Sequence, residues 1–261
     1  MIIKPCLVRF ACLFGAVLLT ACAGPDATVN QPPAAAQSKT VVVAGATGRT
    51  GRHVVQHLLG AGYSVRALVR NTNKAKDLFG DKVEIRVSDI TDRPSVFAAV
   101  EGADSVVSAL GSLSPSGPNS PEFVDYGGVK NLVDAAVEHG IGHFVLVSSM
   151  GVTNENHPLN AAVGNVMIWK LRGEDHLRAS GVDYTVVRPG GLRDDPGGRL
   201  SITFDQGDKP ARAFISREDV AAVCVASLQD KAARNRTFEV VNSEGPASRD
   251  WSKLFGALLP D

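Results

Sequence analysis

Residues 40–51 read Thr-Val-Val-Val-Ala-Gly-Ala-Thr-Gly-Arg-Thr-Gly, and this stretch decides the fold of the chain. A short apolar run is followed by three glycines and then by a helical stripe of Val54, Val55, Leu58 and Leu59. In such a turn, Gly45 permits a sharp bend, Gly48 lets the backbone approach a pyrophosphate, and Gly51 allows close helix packing. The order strand, turn, helix therefore predicts a dinucleotide-binding unit over residues 39–71.

The charge pattern beyond the turn favours NADP(H) over NAD(H). NAD-preferring sites place an acid about 20 residues after the glycines, where it binds the ribose hydroxyls. Here no acid occurs between Gly45 and Lys76, whereas Arg49 lies in the turn and Arg70 at the end of the second predicted strand. Two guanidiniums could pair with a 2′-phosphate, although Arg70 could also be a solvated loop residue. The predicted cofactor contacts in this unit are Gly45, Thr47, Gly48, Arg49, Thr50, Gly51 and Arg70.

The rest of the chain predicts a Rossmann-type α/β fold, a doubly wound parallel sheet in a single domain. Val-rich runs alternate with helical patterns, and their continuous apolar character indicates strands buried on both faces. A second helical stripe comprises Val129, Leu132, Val133, Ala136 and Val137. Residues 190–213 predict loops and short edge strands that form a small C-terminal extension on the substrate side, and Ser216 predicts a helix cap. The strand predictions are 40–44, 64–69, 83–87, 105–109, 143–148, 184–188 and 237–241.

The N-terminal segment differs from the rest. Lys4 and Arg9 precede an apolar run that ends at Cys22 in Leu-Thr-Ala-Cys, an order typical of a bacterial lipoprotein leader. We therefore expect a signal peptide at 1–21, a lipidated Cys22 with a disordered tether to residue 38, and an NAD(P)-binding domain at 39–261. This predicts a membrane-anchored lipoprotein facing the periplasm, with a preference for the outer membrane. An uncleaved anchor or a chance match is the alternative.

Composition limits the partners. The net charge is zero, with 27 basic and 27 acidic residues, so nothing favours nucleic acid, and membrane contact is expected only through the lipid anchor. A small-molecule substrate is expected. Only Cys224 would remain in the folded part, so no disulfide or metal site is predicted, and Cys224 is expected to be a buried apolar residue. Export would place the domain where reduced nicotinamide cofactors are scarce, a conflict that the sequence leaves open.

Residues after the third and fourth predicted strands are candidates for the adenosine side of the cofactor. Asp89, followed by Ile90, could accept a hydrogen bond from the adenine amino group, or could be an ordinary turn residue. Ala109, Leu110 and Gly111 would pass beneath the adenosine and ribose.

Three segments, 41–70, 124–151 and 170–191, resemble the atypical short-chain dehydrogenase/reductases of the NAD(P)H-binding branch. That group includes flavin and biliverdin reductase-like proteins and regulator-like cofactor sensors. The resemblance implies that Lys170 and Ser148 or Ser149 are catalytic, that Ser148, Lys170 and Pro189 contact the cofactor, and that the proton-donor tyrosine should lie four residues before Lys170. That position is Val166.

Other proton sources stay open. Tyr63 and Tyr184 border the amino ends of strands, away from the expected ligand edge, so Tyr126 is the candidate tyrosine, with helix packing as the alternative. His157 is a second candidate, and direct hydride transfer to a flavin-like acceptor with a proton from water is a third route. Lys170 could instead form a surface i, i+4 pair with Glu174. The expected function is an NADPH-dependent reductase of a small conjugated or carbonyl acceptor; the alternative is a noncatalytic NADP(H)-binding sensor or scaffold.

Overall fold

A computed structural model describes residues 38–209, 213–245, 247 and 249–261, together with Met1. The predicted signal peptide, Cys22 and nearly all of the tether lie outside the described residues. Among the described residues, no helix is long and apolar enough to cross a membrane.

In the described part of the chain, strands alternate with helical segments as far as residue 189, as the sequence predicts, and three strands then follow without an intervening helix. The strands are β1 (Thr40–Ala44), β2 (Ser64–Val69), β3 (Glu84–Val87), β4 (Ser105–Ser108), β5 (His143–Val147), β6 (Tyr184–Pro189), β7 (Gly191–Arg193), β8 (Ser201–Asp205), β9 (Phe214–Ser216) and β10 (Arg236–Ser243). The helices are α1 (Gly51–Gly60), α2 (Thr72–Phe79), α3 (Arg93–Val100), α4 (Val129–Glu138), α5 (Pro158–Ala162), α6 (Val166–Arg178), α7 (Arg217–Gln229) and α8 (Trp251–Gly256). A π-helix, Glu122–Gly128, runs directly into α4, and a 3₁₀ turn, Lys231–Ala233, follows α7.

The main sheet has the strand order β3-β2-β1-β4-β5-β6-β10-β8. All of its neighbouring strands are parallel except β8, which pairs antiparallel with β10. The chain reverses its direction of growth between β1 and β4, and ligands in doubly wound sheets bind in the crevice at this switch point. The predicted Rossmann-like α/β fold is therefore confirmed. The region 190–213, predicted as loops and short edge strands, contains β7 and β8; β8 is an edge strand of the main sheet, and β7 forms a separate parallel pair with β9, which follows the region.

Alternate side chains of the inner strands pack into two apolar layers. Val41 and Val43 face the layer that contains α1 and α7, whereas Val42 and Ala44 face the layer that contains α3, α4 and α6. This two-sided burial explains why the inner strands read as continuous apolar runs. Ser216 accepts hydrogen bonds from the Glu218 and Asp219 amides, which confirms the predicted cap of α7.

Two burial predictions are wrong. Strand β3 is an edge strand, and Val87 is 65% exposed because β3 has a neighbour on only one side. Val137 is 51% exposed although it was assigned to the buried stripe of α4. It lies in the last turn of the helix, where the buried face ends at Ala135 and Ala136.

Candidate cofactor and active site

The turn after β1 has no room for a side chain at Gly45 or Gly51. Gly45 has φ +76°, and a Cβ there would lie 2.7 Å from the Ala109 carbonyl oxygen. A Cβ on Gly51 would lie 2.1 Å from the Gly45 carbonyl oxygen, while the Gly48 amide donates to that same oxygen at 2.9 Å. The turn is thus closed on itself and packed against the segment after β4, so Ala109 lies beside the predicted cofactor turn.

The start of α1 is suited to an anion. No side chain among the described residues caps this helix, and its first turn contains no acidic residue. The first N–H groups of an α-helix have no partners within the helix, and the helix dipole favours negative charge there. Together with the bare glycine backbone, this arrangement fits a dinucleotide diphosphate.

The predicted adenosine side comprises the residues that follow β2 and β3. The exposed Arg70 donates from Nη1 to Asn119 Oδ1 at 2.6 Å. Asp89 Oδ1 accepts from the Thr91 amide at 2.9 Å and from the Thr91 hydroxyl at 2.8 Å, and these bonds lower the pKa of Asp89. Asp89 therefore serves the turn in which it lies, and its contact with adenine stays a prediction. Ile90 packs against Gly128 at the end of the π-helix.

The two arginines that were expected to meet at one phosphate have different partners. Arg49 Nη2 contacts Asp194 Oδ2, on the segment that follows β7. Asp194 Oδ1 also accepts from Arg217 Nη1 at 2.9 Å. Arg70, by contrast, pairs with Asn119 in the loop after β4. Neither Asp194 nor Arg217 was singled out from the sequence, because each is remote along the chain from the glycine turn.

Lys170 is held by a buried carboxylate. Its Nζ lies 2.8 Å from Asp125 Oδ1, on a side chain that is fully buried in the π-helix, and 3.4 Å from the Leu110 carbonyl oxygen. Asp125 Oδ2 accepts from the Ser112 amide at 2.9 Å, so one carboxylate joins α6 to the loop after β4. Sequence reasoning missed Asp125, since no local spacing links it to Lys170.

The alternative pairing of Lys170 with Glu174 is wrong. Glu174 is fully buried one turn later and receives Arg188 Nη2 at 2.6 Å and Arg178 Nη2 at 2.7 Å. Burial of Glu174 requires such cationic partners, because an unpaired carboxylate would be costly to bury. Lys170 consequently points to the ligand edge of the sheet.

The two candidate serines differ in their surroundings. Ser148 directly follows β5, and its buried hydroxyl has no hydrogen-bond partner among the described residues. Ser149 instead donates its hydroxyl to the Met150 carbonyl oxygen at 3.2 Å. Side chains alternate along a strand, so Ser148 faces the same layer as Leu146, the layer that also contains α6. An unpaired buried hydroxyl in this place fits a group that would bind the nicotinamide side of a cofactor or an acceptor oxygen.

Helix α6 begins with a valine at the position where the resemblance places the proton-donor tyrosine. Val166 begins α6 one turn before Lys170 and is buried. Tyr126 lies in the π-helix and stacks on Trp169 with ring centroids 5.9 Å apart, a contact that supports the packing alternative. Tyr184 begins β6 and donates to Asp261 Oδ2 at 2.9 Å, at the opposite end of the sheet. His157 Nδ1 accepts from the Leu159 amide at 3.2 Å.

A third buried carboxylate, Asp208, organises the loop after β5. It accepts from the Gly151 amide at 2.5 Å, from the Thr153 amide at 2.8 Å and from the Thr153 hydroxyl at 2.7 Å. Burial opposes ionisation, but these bonds and the charge of Arg188 outweigh it and lower the pKa of Asp208. The Asp208 amide donates to Glu239 Oε2 at 3.1 Å, and burial raises the pKa of Glu239. No sequence pattern pointed to Asp208, which lies in an irregular segment.

Cys224 lies fully buried in α7. Burial raises the pKa of its thiol to about 12, so the thiolate is scarce near neutral pH. This supports the interpretation of Cys224 as a small apolar residue.

A family model described as NAD(P)H-binding matches residues 45–231. The chain belongs to this NAD(P)H-binding family. Its relatives include a chloroplast protein of Arabidopsis thaliana that is 36% identical over 83% of this chain and 74% of the relative. Another is the sanguinarine reductase of Eschscholzia californica, 32% identical over 84% of this chain and 96% of the relative. A solved structure, a putative NAD-dependent epimerase/dehydratase from Bacillus halodurans, superposes with a TM-score of 0.72 at 29% identity, covering 80% of this chain and 96% of that one.

The predicted location as a periplasm-facing lipoprotein is wrong on these comparisons. Several relatives are named as chloroplast proteins of plants. The prediction depended on a short N-terminal pattern around Cys22, and that pattern lies outside the described residues. The fold and the glycine turn do not depend on it.

NAD(P)H is the cofactor of this family, and the residues present fit it. The turn at Gly45 and Gly51 leaves no room for side chains. Within the part of the chain that the structure describes, no side chain caps α1, its first turn has no acid, and the Ser148 hydroxyl at the same end of the strands has no partner.

Proposed function

We propose that the chain is an NADPH-dependent reductase of a small conjugated or carbonyl acceptor, such as a flavin-like or quinone-like ring. The observation that carries the proposal is that Lys170 and Ser148 both lie at the ligand edge of the sheet that bears the glycine turn. A relative that bears the name sanguinarine reductase supports a reductase over other activities of the family.

The residues assigned to the cofactor divide into three groups along it. The turn and the start of α1 would hold the diphosphate through Gly45, Thr47, Gly48, Thr50 and Gly51. The adenosine half would lie against Arg70, Asp89, Ile90, Ala109, Leu110 and Gly111. The nicotinamide half would lie against Ser148, Lys170 and Pro189, and when bound it supplies the hydride.

The protein's own groups at the hydride end are an ammonium and a hydroxyl. The Lys170 ammonium has three N–H donors, and Asp125 and the Leu110 carbonyl account for two of them. The third, with the Ser148 hydroxyl, is left for a ribose or for an acceptor oxygen. Both groups can stabilise negative charge that develops on such an oxygen.

The valine at position 166 favours a conjugated acceptor. With no tyrosine there, the proton would come from Ser148 or from water. Tyr126 is a weaker candidate, because its ring stacks on Trp169. A conjugated ring spreads the charge that arrives with hydride, so its reduction depends less on an immediate proton donor.

Arg70 supports NADPH over NADH. It stands at the end of β2, where NAD-preferring proteins carry an acid, and its guanidinium is exposed. A 2′-phosphate would be held there by paired, charge-assisted hydrogen bonds.

The test is NADPH oxidation by the full chain with a panel of flavin, quinone and simple ketone acceptors. We expect turnover with the conjugated acceptors, and Lys170→Met should lower kcat about 10²-fold to 10⁴-fold. Lys130→Met is the matched control, because Lys130 pairs with Asp134 at 2.5 Å on α4, away from the site, and it should turn over like the unsubstituted chain.

The second candidate is a noncatalytic NADP(H)-binding sensor or scaffold, and Val166 in place of tyrosine favours it. Tight NADPH binding without turnover on any acceptor would establish this alternative and end the reductase proposal.

A further inference from the structure

Segment 190–198, here called the strap, follows β6 and contacts both the glycine turn and the start of α7. It begins where β6 ends and carries Asp194, whose carboxylate contacts both Arg49 of the glycine turn and Arg217 at the start of α7. Arg217 is 12% exposed and also donates to the Leu192 carbonyl oxygen at 3.3 Å. Arg49 is 62% exposed, so its contact with Asp194 is the solvent-facing part of this cluster.

The strap contact borders the switch-point crevice. In the sheet, β1 and β6 are separated by β4 and β5, and the crevice opens between the loops after β1 and β4. Arg49 follows β1, and Asp194 follows β6 through β7. Their ion pair therefore joins the β1 side of that crevice to the segment after β6, and the two helices that begin beside it, α1 and α7, lie on the same face of the sheet.

The far end of the strap is fixed to α7. The Gly197 amide donates to Glu218 Oε2 and the Gly198 amide donates to Asp219 Oδ1, each at 2.8 Å. Asp219 is 2% exposed and also accepts from Asn242 Nδ2 at 2.9 Å. At the near end, β7 pairs with β9, so Asp194 is held between two fixed points and Arg49 is its exposed partner.

Positive charge is concentrated where the strap meets the turn. Burial, followed by the charges of Arg49 and Arg52, lowers the pKa of Arg217, so these guanidiniums are near enough to repel one another. Asp194 is the carboxylate that bridges two of them. The diphosphate shared by NADPH and NADH would add its negative charge to this same region, next to the start of α1.

Arg70 lies on the other flank of the turn. It follows β2, on the side of β1 away from β4, and its partner is Asn119. The 2′-phosphate distinguishes NADPH from NADH and belongs to the adenosine half of the cofactor, the half expected near β2.

We propose that the ion pair of Arg49 and Asp194 fastens the strap to the glycine turn beside the diphosphate common to both cofactors, and that the preference for NADPH comes from Arg70 and not from Arg49. The inference deepens the proposed function, since it assumes the cofactor orientation given there. Arg49 and Asp194 are positioning residues for either cofactor. Arg70 alone of the two arginines is a specificity residue.

The experiment measures binding of NADPH and NADH to the full chain by cofactor fluorescence, with dissociation rates from stopped-flow displacement. Asp194→Asn and Arg49→Gln should each speed dissociation of both cofactors by a similar factor, about fivefold to fiftyfold. The ratio of the two dissociation constants should change by less than about twofold. Arg70→Gln should instead reduce that ratio by about tenfold or more. Arg234→Gln is the control, because Arg234 forms a half-exposed ion pair with Asp183 at 2.5 Å just before β6, at the amino end of the sheet, and it should leave dissociation unchanged.

A double variant tests whether Arg49 and Asp194 act as one unit. If they do, Arg49→Gln with Asp194→Asn should dissociate cofactor hardly faster than either single variant. If the effects of the two substitutions on the dissociation rate add, the two residues act independently and the proposal is wrong.

Three other results would also contradict the proposal. If Arg49→Gln abolishes the preference for NADPH as Arg70→Gln does, Arg49 reads the 2′-phosphate. If Asp194→Asn leaves both rates unchanged, the strap does not hold the cofactor. If it slows dissociation, Asp194 competes with the diphosphate for Arg49. Because the readout is binding, an absence of turnover in the acceptor panel would end the reductase proposal without affecting this comparison.

Discussion

At the scale of single residues, the cofactor site depends on glycines, which have no side chain. The turn after β1 passes so close to itself that the first side-chain carbon at Gly51 would overlap the Gly45 carbonyl group. Backbone lies on both sides of that contact, so no rotamer change can relieve it. The same closeness is what exposes backbone amides to a diphosphate.

Gly51→Ala is therefore expected to force the turn open. NADPH affinity should fall about 100-fold or more, and the free energy of unfolding should decrease by about 1–3 kcal/mol. Gly60→Ala is the matched control, because Gly60 ends the same helix and a Cβ there meets nothing within 4 Å. It should bind NADPH normally and unfold at an equal or higher urea concentration. Normal NADPH affinity in Gly51→Ala would show that the turn does not cradle the cofactor.

At the scale of elements, a close crossing of two helices sets the position of Lys170. Gly173 of α6 lies against the π-helix, where a Cβ would come within 3.0 Å of the Asp125 carbonyl oxygen and 3.3 Å of Val129 Cγ1. The absence of a side chain at 173 lets the helices approach, and Lys170 then reaches the Asp125 carboxylate one turn earlier. The ion pair depends on this crossing as much as on its two charges.

The loop after β5 is a second case in which distant elements act together. Asp208→Ala would leave the amides of Gly151 and Thr153 without their acceptor. We expect a loss of about 2–3 kcal/mol in the free energy of unfolding and a higher KM for the acceptor, with NADPH affinity nearly unchanged. Asp208→Asn should be milder, because asparagine keeps an acceptor oxygen and tolerates the φ of +50° at this position.

Asp205→Ala is the control for Asp208, since Asp205 is exposed and its bonds are to the neighbouring Gln206 and Lys209. Urea denaturation and acceptor titration at saturating NADPH separate the effects. An unchanged KM in Asp208→Ala would mean that this loop does not border the acceptor.

These elements also show what the sequence could and could not predict. The glycine turn, the cap at Ser216 and the position of Lys170 relative to Val166 are local patterns, and each lies where it was expected. Asp125, Asp194 and Asp208 find partners in other elements, so their roles follow from the path of the chain through space. Arg49 shows the same limit. The sequence predicts its position in the glycine turn, but not that its side chain pairs with Asp194.

At the scale of the whole molecule, the two ends of the parallel strands have different roles. The glycine turn, Ser148 and the strap lie at the carboxyl ends of the strands. Polar contacts that stabilise the fold lie at the amino ends, among them Tyr184 with Asp261 and His143 with Thr185. Substitutions at the amino ends should change stability and leave cofactor affinity unaltered.

His143, at the amino ends of the strands, should make the free energy of unfolding depend on pH. Burial lowers its pKa from 6.5 to about 4, and Nε2 lies 2.9 Å from the Thr185 hydroxyl oxygen. Since the unfolded chain binds the proton more readily, stability should fall as pH drops from about 6.5 to about 4, by about 3 kcal/mol in all.

His143→Gln should show a smaller decrease between pH 7 and about pH 4.5, measured by urea denaturation, since glutamine cannot take up that proton. His139→Gln is the control, because His139 caps the end of α4 and is only half-buried, whereas His143 is buried. Equal acid sensitivity in His143→Gln and the unsubstituted chain would contradict the assignment.

The π-helix has a consequence for insertions and deletions. A π-turn holds more residues than an α-turn, so the helix before α4 is about one residue overlong. Deleting Gly127 would restore α-helical winding while α4 keeps its buried face, and everything before the deletion would rotate by about 100° around the axis. Asp125 would then turn away from Lys170 although both residues were still encoded. In an alignment of this family, a one-residue gap at this point would mark chains that have lost the ion pair even where its aspartate and lysine are both present.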